Sequence, residues 1–148
     1  MRLKKIIKQL EGKFPLELAE EWDNVGLLLD STRREIKSIM LCLDITRDVV
    51  DKAVANKVDL IISHHPFIFS PLKKITTDEV NGEKILKLAR NNIAVYSMHT
   101  NIDSGIGGLN DFIIKKIGQE GKVFAISNNR SIELRKLVTS DLIDAKDK

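Results

Sequence analysis

The stretch D-L-I-I-S-H-H-P-F, residues 59–67, constrains the fold of this chain more than any other. Its apolar run at 60–62 is short, continuous and rich in β-branched residues, which is typical of a strand buried on both faces of a parallel sheet. His64 and His65 come directly after it, so we expect them at the carboxyl end of that strand. Neighbours in a pleated strand point to opposite faces, and Pro66 marks a break in the pleat that lets both histidines serve one centre. The pair is therefore a candidate metal site.

The segments around this strand predict an α/β fold, with a mainly parallel sheet built from successive βαβ units and helices on both faces. Apolar runs predict strands, and 3.6-residue periodicity predicts helices. The predicted strands cover residues 25–29, 36–43, 60–62, 93–98 and 123–126. The predicted helices cover residues 3–10, 15–21, 46–56, a segment with its inner stripe at 85–89, and a segment with inner positions Leu109, Phe112, Ile113 and Ile117.

Three local expectations accompany these elements. The 36–43 strand is dense enough in apolar residues to be buried on both faces. Trp22 is interpreted as a core anchor, and Asp23-Asn24 as a turn. Thr46 is expected to cap the helix that follows it.

Length and composition describe an ordinary globular protein. The chain has 148 residues, of which 43% are hydrophobic and 30% charged, so we expect one domain over 1–148. It contains no apolar run of eighteen residues and no export leader, so we expect a cytoplasmic protein without membrane insertion. The net charge is only +3 and the lysines are scattered, so a nucleic-acid partner is not indicated.

Polar residues follow three successive predicted parallel strands. They are Asp44 after the first, His64 and His65 after the second, and His99, Asn101 and Asp103 after the third. The carboxyl ends of parallel strands share one edge, and open α/β sheets bind ligands there. Imidazole and carboxylate together suit one or two divalent ions such as zinc, manganese, iron or nickel, and a carboxylate can bridge two ions.

Each of these residues also has a purely structural interpretation. An isolated histidine is usually a hydrogen-bonded structural residue, and Asp103 could cap a helix that opens near Ile106. His99 could orient a ligand by hydrogen bonding instead of binding metal. The glycines at 105, 107 and 108 could bind a phosphate at a helix start, but a tight turn needs glycine equally.

Four motifs also resemble those of a known family. They are E-E-W-D-N-V-G-L at 20–27, S-H-H-P-F at 63–67, H-T-N-I-D at 99–103 and G-G-L-N-D at 107–111. In order and spacing they are similar to the NIF-three-like family, described as GTP cyclohydrolase 1 type 2 homologues, over residues 3–116. The resemblance implies an α/β fold with a dinuclear metal site, assembled into a toroidal hexamer. By this resemblance, His64, His65 and Asp103 correspond to metal ligands.

The remainder of the chain, from residue 119, departs from the family pattern. Family members are longer, and their C-terminal half supplies one more histidine and a glutamate to the metals. This chain has no histidine after His99, and its later glutamates, Glu120 and Glu133, lie in other contexts. Either the sequence is a fragment or truncated relative, or another chain completes the site, or the site does not hold two metals.

Three functional hypotheses follow. The first is a metal-dependent hydrolase acting on a nucleotide-like small molecule, since a bound ion polarises substrates and activates water. The second is a non-enzymatic metal-binding or assembly protein, and the third is an inactive remnant that needs a partner. We also expect a homo-oligomer, a dimer or a larger family-like assembly, because a chain without the family's C-terminal half should leave apolar surface that a second copy can cover.

Overall fold

The fold is taken from a computed structural model that describes residues 1–32 and 35–117. The strands are β1 (Gly26–Leu29), β2 (Ile39–Cys42), β3 (Leu60–Ser63) and β4 (Ala94–Ser97). The helices are α1 (Leu3–Lys13), α2 (Arg47–Ala55), α3 (Val80–Arg90), α4 (Thr100–Ser104) and α5 (Leu109–Lys116), with a 3-10 turn at Leu16–Leu18. The strand predicted at 123–126 lies outside the described residues.

The four strands form one mixed sheet in the order β1-β4-β3-β2. β2 pairs with β3 and β3 with β4 in parallel, whereas β1 runs antiparallel to β4. The chain passes through α2 between β2 and β3, and through α3 between β3 and β4. The predicted α/β fold is therefore confirmed, and the predicted mainly parallel sheet is confirmed in part, since one edge pair is antiparallel.

Helices lie on both faces of the sheet. One core contains the inner sides of α2 and α3 packed on the sheet, including Val50, Ala53, Ile61, Ile85, Leu88 and Val95. The other contains α1 packed on the opposite face, including Leu3, Ile6, Leu60, Ala94 and Tyr96. α2 begins as predicted, because the Thr46 hydroxyl accepts a hydrogen bond from the amide of Val49 and caps its N-terminus.

The predicted burial of the 36–43 strand on both faces is wrong. β2 is the edge strand of the sheet, and its residues alternate between exposed and half-buried. Leu41 is 74% exposed, and Ile39 and Leu43 are also exposed. The half-buried Met40 and Cys42 pack against the α2/α3 core, so only one face of β2 is covered.

Two further burial predictions are wrong. Phe112, Ile113 and Ile117, expected on the inner side of their helix, are exposed, and α5 buries Ile114 instead. Trp22, expected in the core, is 59% exposed. The longest helices in the described part of the chain have 11 residues, and none of the described helices is long and apolar enough to cross a membrane.

Candidate metal centre

Three imidazole rings meet at the carboxyl edge of the sheet. The ring centroids of His64 and His65 lie 5.1 Å apart, those of His64 and His99 5.0 Å apart, and those of His65 and His99 5.5 Å apart. One nitrogen of each ring lies within 4.8 Å of a nitrogen of the other two. All three side chains are half-buried, so the cluster is open to solvent on one side.

The end of β3 explains how two adjacent histidines reach one centre. β3 ends at Ser63, whose buried hydroxyl lies 2.8 Å from the Ser97 hydroxyl of β4 and donates to the carbonyl of His65. The Ser97 hydroxyl also accepts the amide of Phe67, at 3.3 Å. These hydroxyl contacts hold the chain in a turn directly after the strand. The pleat therefore ends as predicted, and the alternation of side chains ends with it.

His64 is held by the backbone of the neighbouring strand end. Its Nδ1 lies 3.0 Å from the carbonyl oxygen of Met98, which can only accept, so Nδ1 carries the hydrogen. Nε2 then keeps its lone pair and lies 3.8 Å from the carboxylate of Asp103. Burial raises the pKa of the Asp103 carboxyl above its ordinary value, although the surrounding histidines oppose this.

His99 is held by Asp23, whose side chain is fully buried. The His99 Nδ1 lies 3.1 Å from both carboxylate oxygens of Asp23, and one of these, Oδ2, also accepts hydrogen bonds from the amide and hydroxyl of Thr100. Burial alone would raise the pKa of Asp23, but the hydrogen bonds from Thr100 and His99 outweigh it and hold that pKa below its ordinary value. The carboxylate is thus stabilised in its charged form and fixes Nδ1 of His99 as a donor.

Sequence reasoning missed this role of Asp23, which it assigned to a turn. Asp23 and His99 are 76 residues apart, and no periodic pattern connects them. The signal available was the motif E-E-W-D-N-V-G-L, whose aspartate precedes an antiparallel strand paired to the strand before His99.

His65 has an exposed partner. Its Nδ1 lies 2.7 Å from a carboxylate oxygen of Asp44, and both side chains are about half exposed. Asn101, by contrast, is fully buried and structural: its oxygen accepts the amide of His99, and its amide donates to the carbonyl of Phe14 at the end of α1. The sequence placed Asp44 and Asn101 at this edge without assigning them roles. In the structure Asp44 contacts the cluster directly, and Asn101 fixes the backbone beside it.

The glycine segment after Asp103 is a packed turn. No helix begins near Ile106. Instead, Asp103 lies inside the short helix α4, and α5 begins at Leu109. Gly107 has a φ of +71°, and a Cβ at Gly108 would lie 1.9 Å from the carbonyl oxygen of Ile102. Backbone conformation and close packing therefore account for these glycines without a bound phosphate.

A cavity of about 560 Å³ opens beside His65. Its walls are residues 65–72, residues 44–46 and the side chains of Asn81 and Lys84 at the start of α3. The Lys84 ammonium donates to the carbonyl of Ile45 at 2.8 Å, and burial lowers its pKa. The lining combines apolar side chains with polar and charged groups, so it can contact both the apolar and the polar parts of a small molecule.

The arrangement fits a divalent metal ion by its donor chemistry. In each of the three imidazoles, Nδ1 faces an acceptor: the Met98 carbonyl, the Asp44 carboxylate or the Asp23 carboxylate. Metal-bound histidines show the same pattern, since a hydrogen bond at one ring nitrogen fixes the tautomer and leaves the other as ligand.

Comparison with known proteins identifies the family of this chain. Residues 1–143 match the family model of Duf34/NIF3, NGG1p interacting factor 3. The chain belongs to the DUF34/NIF3 family. Among curated relatives, a GTP cyclohydrolase 1 type 2 homolog of Clostridium acetobutylicum is 38% identical over 133 residues, covering 90% of this chain and 50% of the relative. NIF3-like protein 1 of Drosophila melanogaster is 42% identical over 117 residues, covering 78% of this chain and 40% of the relative.

Solved structures share the fold of this chain. A Bacillus cereus protein related to NIF3 has a TM-score of 0.78 at 38% identity, with 86% of this chain and 35% of that chain covered. Reduced HcgD from Methanocaldococcus jannaschii has a TM-score of 0.76 at 33% identity, with 86% and 51% covered. The chain therefore spans about half or less of the length of these relatives, and the predicted family membership is confirmed for their N-terminal portion.

Proposed function

We propose that this chain binds a divalent metal ion at His64, His65 and Asp103, with His99 as a further imidazole ligand. The observation that carries the proposal is the matched orientation of the three rings, each with Nδ1 held by an acceptor, which leaves the lone pair on Nε2. Nitrogen and carboxylate donors suit zinc, manganese, iron or nickel. The Asp103 carboxylate has two oxygens and can serve one ion or bridge two.

We propose further that the centre belongs to a metal-dependent hydrolase acting on a nucleotide-like substrate. A bound ion would polarise the substrate and lower the pKa of a water molecule. The cavity beside His65 supports a small-molecule substrate, and the Lys84 ammonium, which lines this cavity, supports one with an anionic group. The nucleotide class is supported by the name of the relatives, GTP cyclohydrolase 1 type 2 homolog.

The second candidate function is a metal-binding assembly protein without turnover. Two observations favour it: the family description names an interacting factor, and the described residues leave apolar side chains exposed on one side of the sheet. This apolar face is a shallow groove beside His64, in which Leu41 and Leu43 are exposed and Ile62, Ile102 and Leu109 are half-buried.

We propose that the apolar face forms a homo-oligomer contact, with the hexamer implied by the family resemblance as the largest assembly considered. Exposed apolar patches of this kind are rare in monomers, and a second copy is the simplest cover. Leu41→Glu should abolish the association, since the interface would then bury an unpaired charge. Light scattering over a dilution series measures this, with Val80→Glu, at an exposed position of α3 on the other face of the sheet, as the control. A wild type that stays monomeric at high concentration contradicts the proposal.

Elemental analysis of the purified chain, followed by GTP turnover with and without added zinc or manganese, separates the two candidate functions. Metal at one or two equivalents with turnover that stops on chelation supports the hydrolase. Metal without turnover supports the assembly protein. A chain without metal affinity, or with equal affinity in the His64→Ala variant, contradicts the metal centre itself.

A further inference from the structure

Trp22 and Phe69 form an exposed aromatic pair at the histidine cluster. Phe69 is 52% exposed, and its ring centroid lies 6.1 Å from that of Trp22, with 58° between the ring planes. The Trp22 ring also meets His99 edge-on, with centroids 6.1 Å apart and an angle of 75°. Two large aromatic rings thus stay in solvent next to the candidate metal centre.

The backbone on both sides of this pair is fixed. Asp23, the residue after Trp22, is bound to His99 and Thr100 through its buried carboxylate. The Asn24 side-chain amide donates to the carbonyl of Ile68, the residue before Phe69, at 2.5 Å. The two segments that carry the rings are therefore tied to each other and to the histidine centre. Such anchoring lowers the entropy lost when a ligand is bound.

We propose that Trp22 and Phe69 are a stacking platform for the planar heteroaromatic ring of the substrate, a ring of the nucleobase class. This inference rests on the proposed function, because it names the substrate class of the same centre. Aromatic side chains bind bases through their faces, with little dependence on base identity. A ring stacked on Trp22 would hold its attached groups beside His99 and His65.

The surroundings of the pair favour a small ligand over a protein partner. Trp22 contacts a histidine of the centre, and Phe69 is also part of the wall of the 560 Å³ cavity beside His65. Lys84 and Asn81 line the same cavity, so an aromatic ring and polar groups border one space. A nucleotide has the same division, with a flat apolar base at one end and an anionic phosphate at the other.

The chain offers a direct reporter, because Trp22 is its single tryptophan. Metal-loaded protein is titrated with guanosine monophosphate and, separately, with ribose 5-phosphate, which has the sugar and phosphate without the base. Guanosine monophosphate should quench or shift the tryptophan emission saturably, and ribose 5-phosphate should leave it unchanged. Equal responses to both compounds, or no response to either, would overturn the proposal.

Calorimetry on variants supplies the second measurement. Trp22→Leu should weaken guanosine monophosphate binding by roughly 5- to 100-fold, as loss of one base-stacking partner does, and Phe69→Leu should weaken it in the same direction. Trp22→Phe should recover part of the affinity and keeps the test valid if Trp22→Leu fails to fold. Phe112→Leu removes an equally exposed ring on α5, which contacts Lys116, and should have no effect.

Metal content measured on the same samples separates this proposal from the proposed function. Quenching by guanosine monophosphate in protein that binds no metal would leave the platform standing and remove the metal centre. Bound metal without quenching by guanosine monophosphate would overturn the platform and leave the metal centre standing. Tryptophan emission that changes with protein concentration in step with light scattering would identify the pair as a contact between copies and would also overturn the proposal.

Discussion

The central strand β3 and the edge strand β2 are both short and apolar, yet they have opposite surroundings. β3 lies between two strands and two helical layers, and its Leu60 has no exposed surface. β2 has a neighbour on one side only, and α1 packs over β3 and β4 without covering it. The enclosed part of the sheet therefore carries the histidine pair, and the exposed edge strand belongs to the face proposed as a contact between copies.

The largest effect that tests this comparison is on stability. Leu60→Ala should lower the free energy of unfolding by about 2–5 kcal/mol, because it leaves a cavity between α1 and the sheet. Leu41→Ala, the same substitution on the edge strand, should change it by less than about 0.5 kcal/mol in the monomer. Urea unfolding of the two variants measures the difference. Equal losses would mean that β2 is as enclosed as β3.

The second effect is on metal affinity at the end of the central strand. His64→Ala should weaken zinc or manganese binding by more than about 100-fold, since removing a ligand costs more than removing the group that orients it. The free energy of unfolding should change little, because a half-buried strand-end side chain contributes modestly to packing. Metal titration by calorimetry, paired with urea unfolding, measures both quantities. A variant that loses stability but keeps its affinity would make His64 a structural residue.

The third effect concerns the carboxylate that holds His99. Asp23→Asn should weaken metal binding by about 10- to 100-fold, because the amide can present its NH₂ group to Nδ1 and favour the wrong tautomer. Asp23→Glu, which keeps the charge, is the conservative control. Partial recovery of metal affinity in this variant would show that the negative charge and the hydrogen-bond acceptor matter more than the packing of the side chain. Histidine Nδ1 and Nε2 resonances in NMR spectra report the tautomer directly. An unchanged His99 tautomer in Asp23→Asn would contradict this role.

The same contrast explains what the sequence could and could not predict. β3, α2 and the Thr46 cap depend on residues close in sequence, so their patterns were sufficient. The exposure of Leu41 depends on strand order, because β2 lies at one edge of the sheet. The sequence near β2 does not show that β1 pairs with β4 at the other edge. Trp22 was expected in the core, but its ring lies beside those of Phe69 and His99 and stays 59% exposed.

The candidate site divides in the same way. The topology of parallel strands was enough to place His64, His65 and His99 at one edge, and the structure brings these rings together. It also places Asp103 3.8 Å from His64, while its assignment as a ligand stays a prediction. The partners of each Nδ1 could not be predicted, since two of the three, Asp44 and Asp23, lie 21 and 76 residues away from the histidines they hold.

The smallest effect distinguishes the two carboxylates that hold histidines. Asp44 contacts His65 at 2.7 Å, closer than the 3.1 Å between Asp23 and His99, but Asp44 is exposed on the edge-strand side of the centre. Exposed pairs contribute about 0–1 kcal/mol because water and salt screen them, so Asp44→Asn should weaken metal binding by no more than about 5-fold. The same calorimetric titration at low and high salt measures it. The loss of metal affinity in Asp44→Asn should become smaller at high salt. The loss in Asp23→Asn should stay the same, since buried charges are screened much less. A loss in Asp44→Asn as large as that in Asp23→Asn would mean that another group, absent from the described chain, covers His65 and Asp44 when the metal is bound.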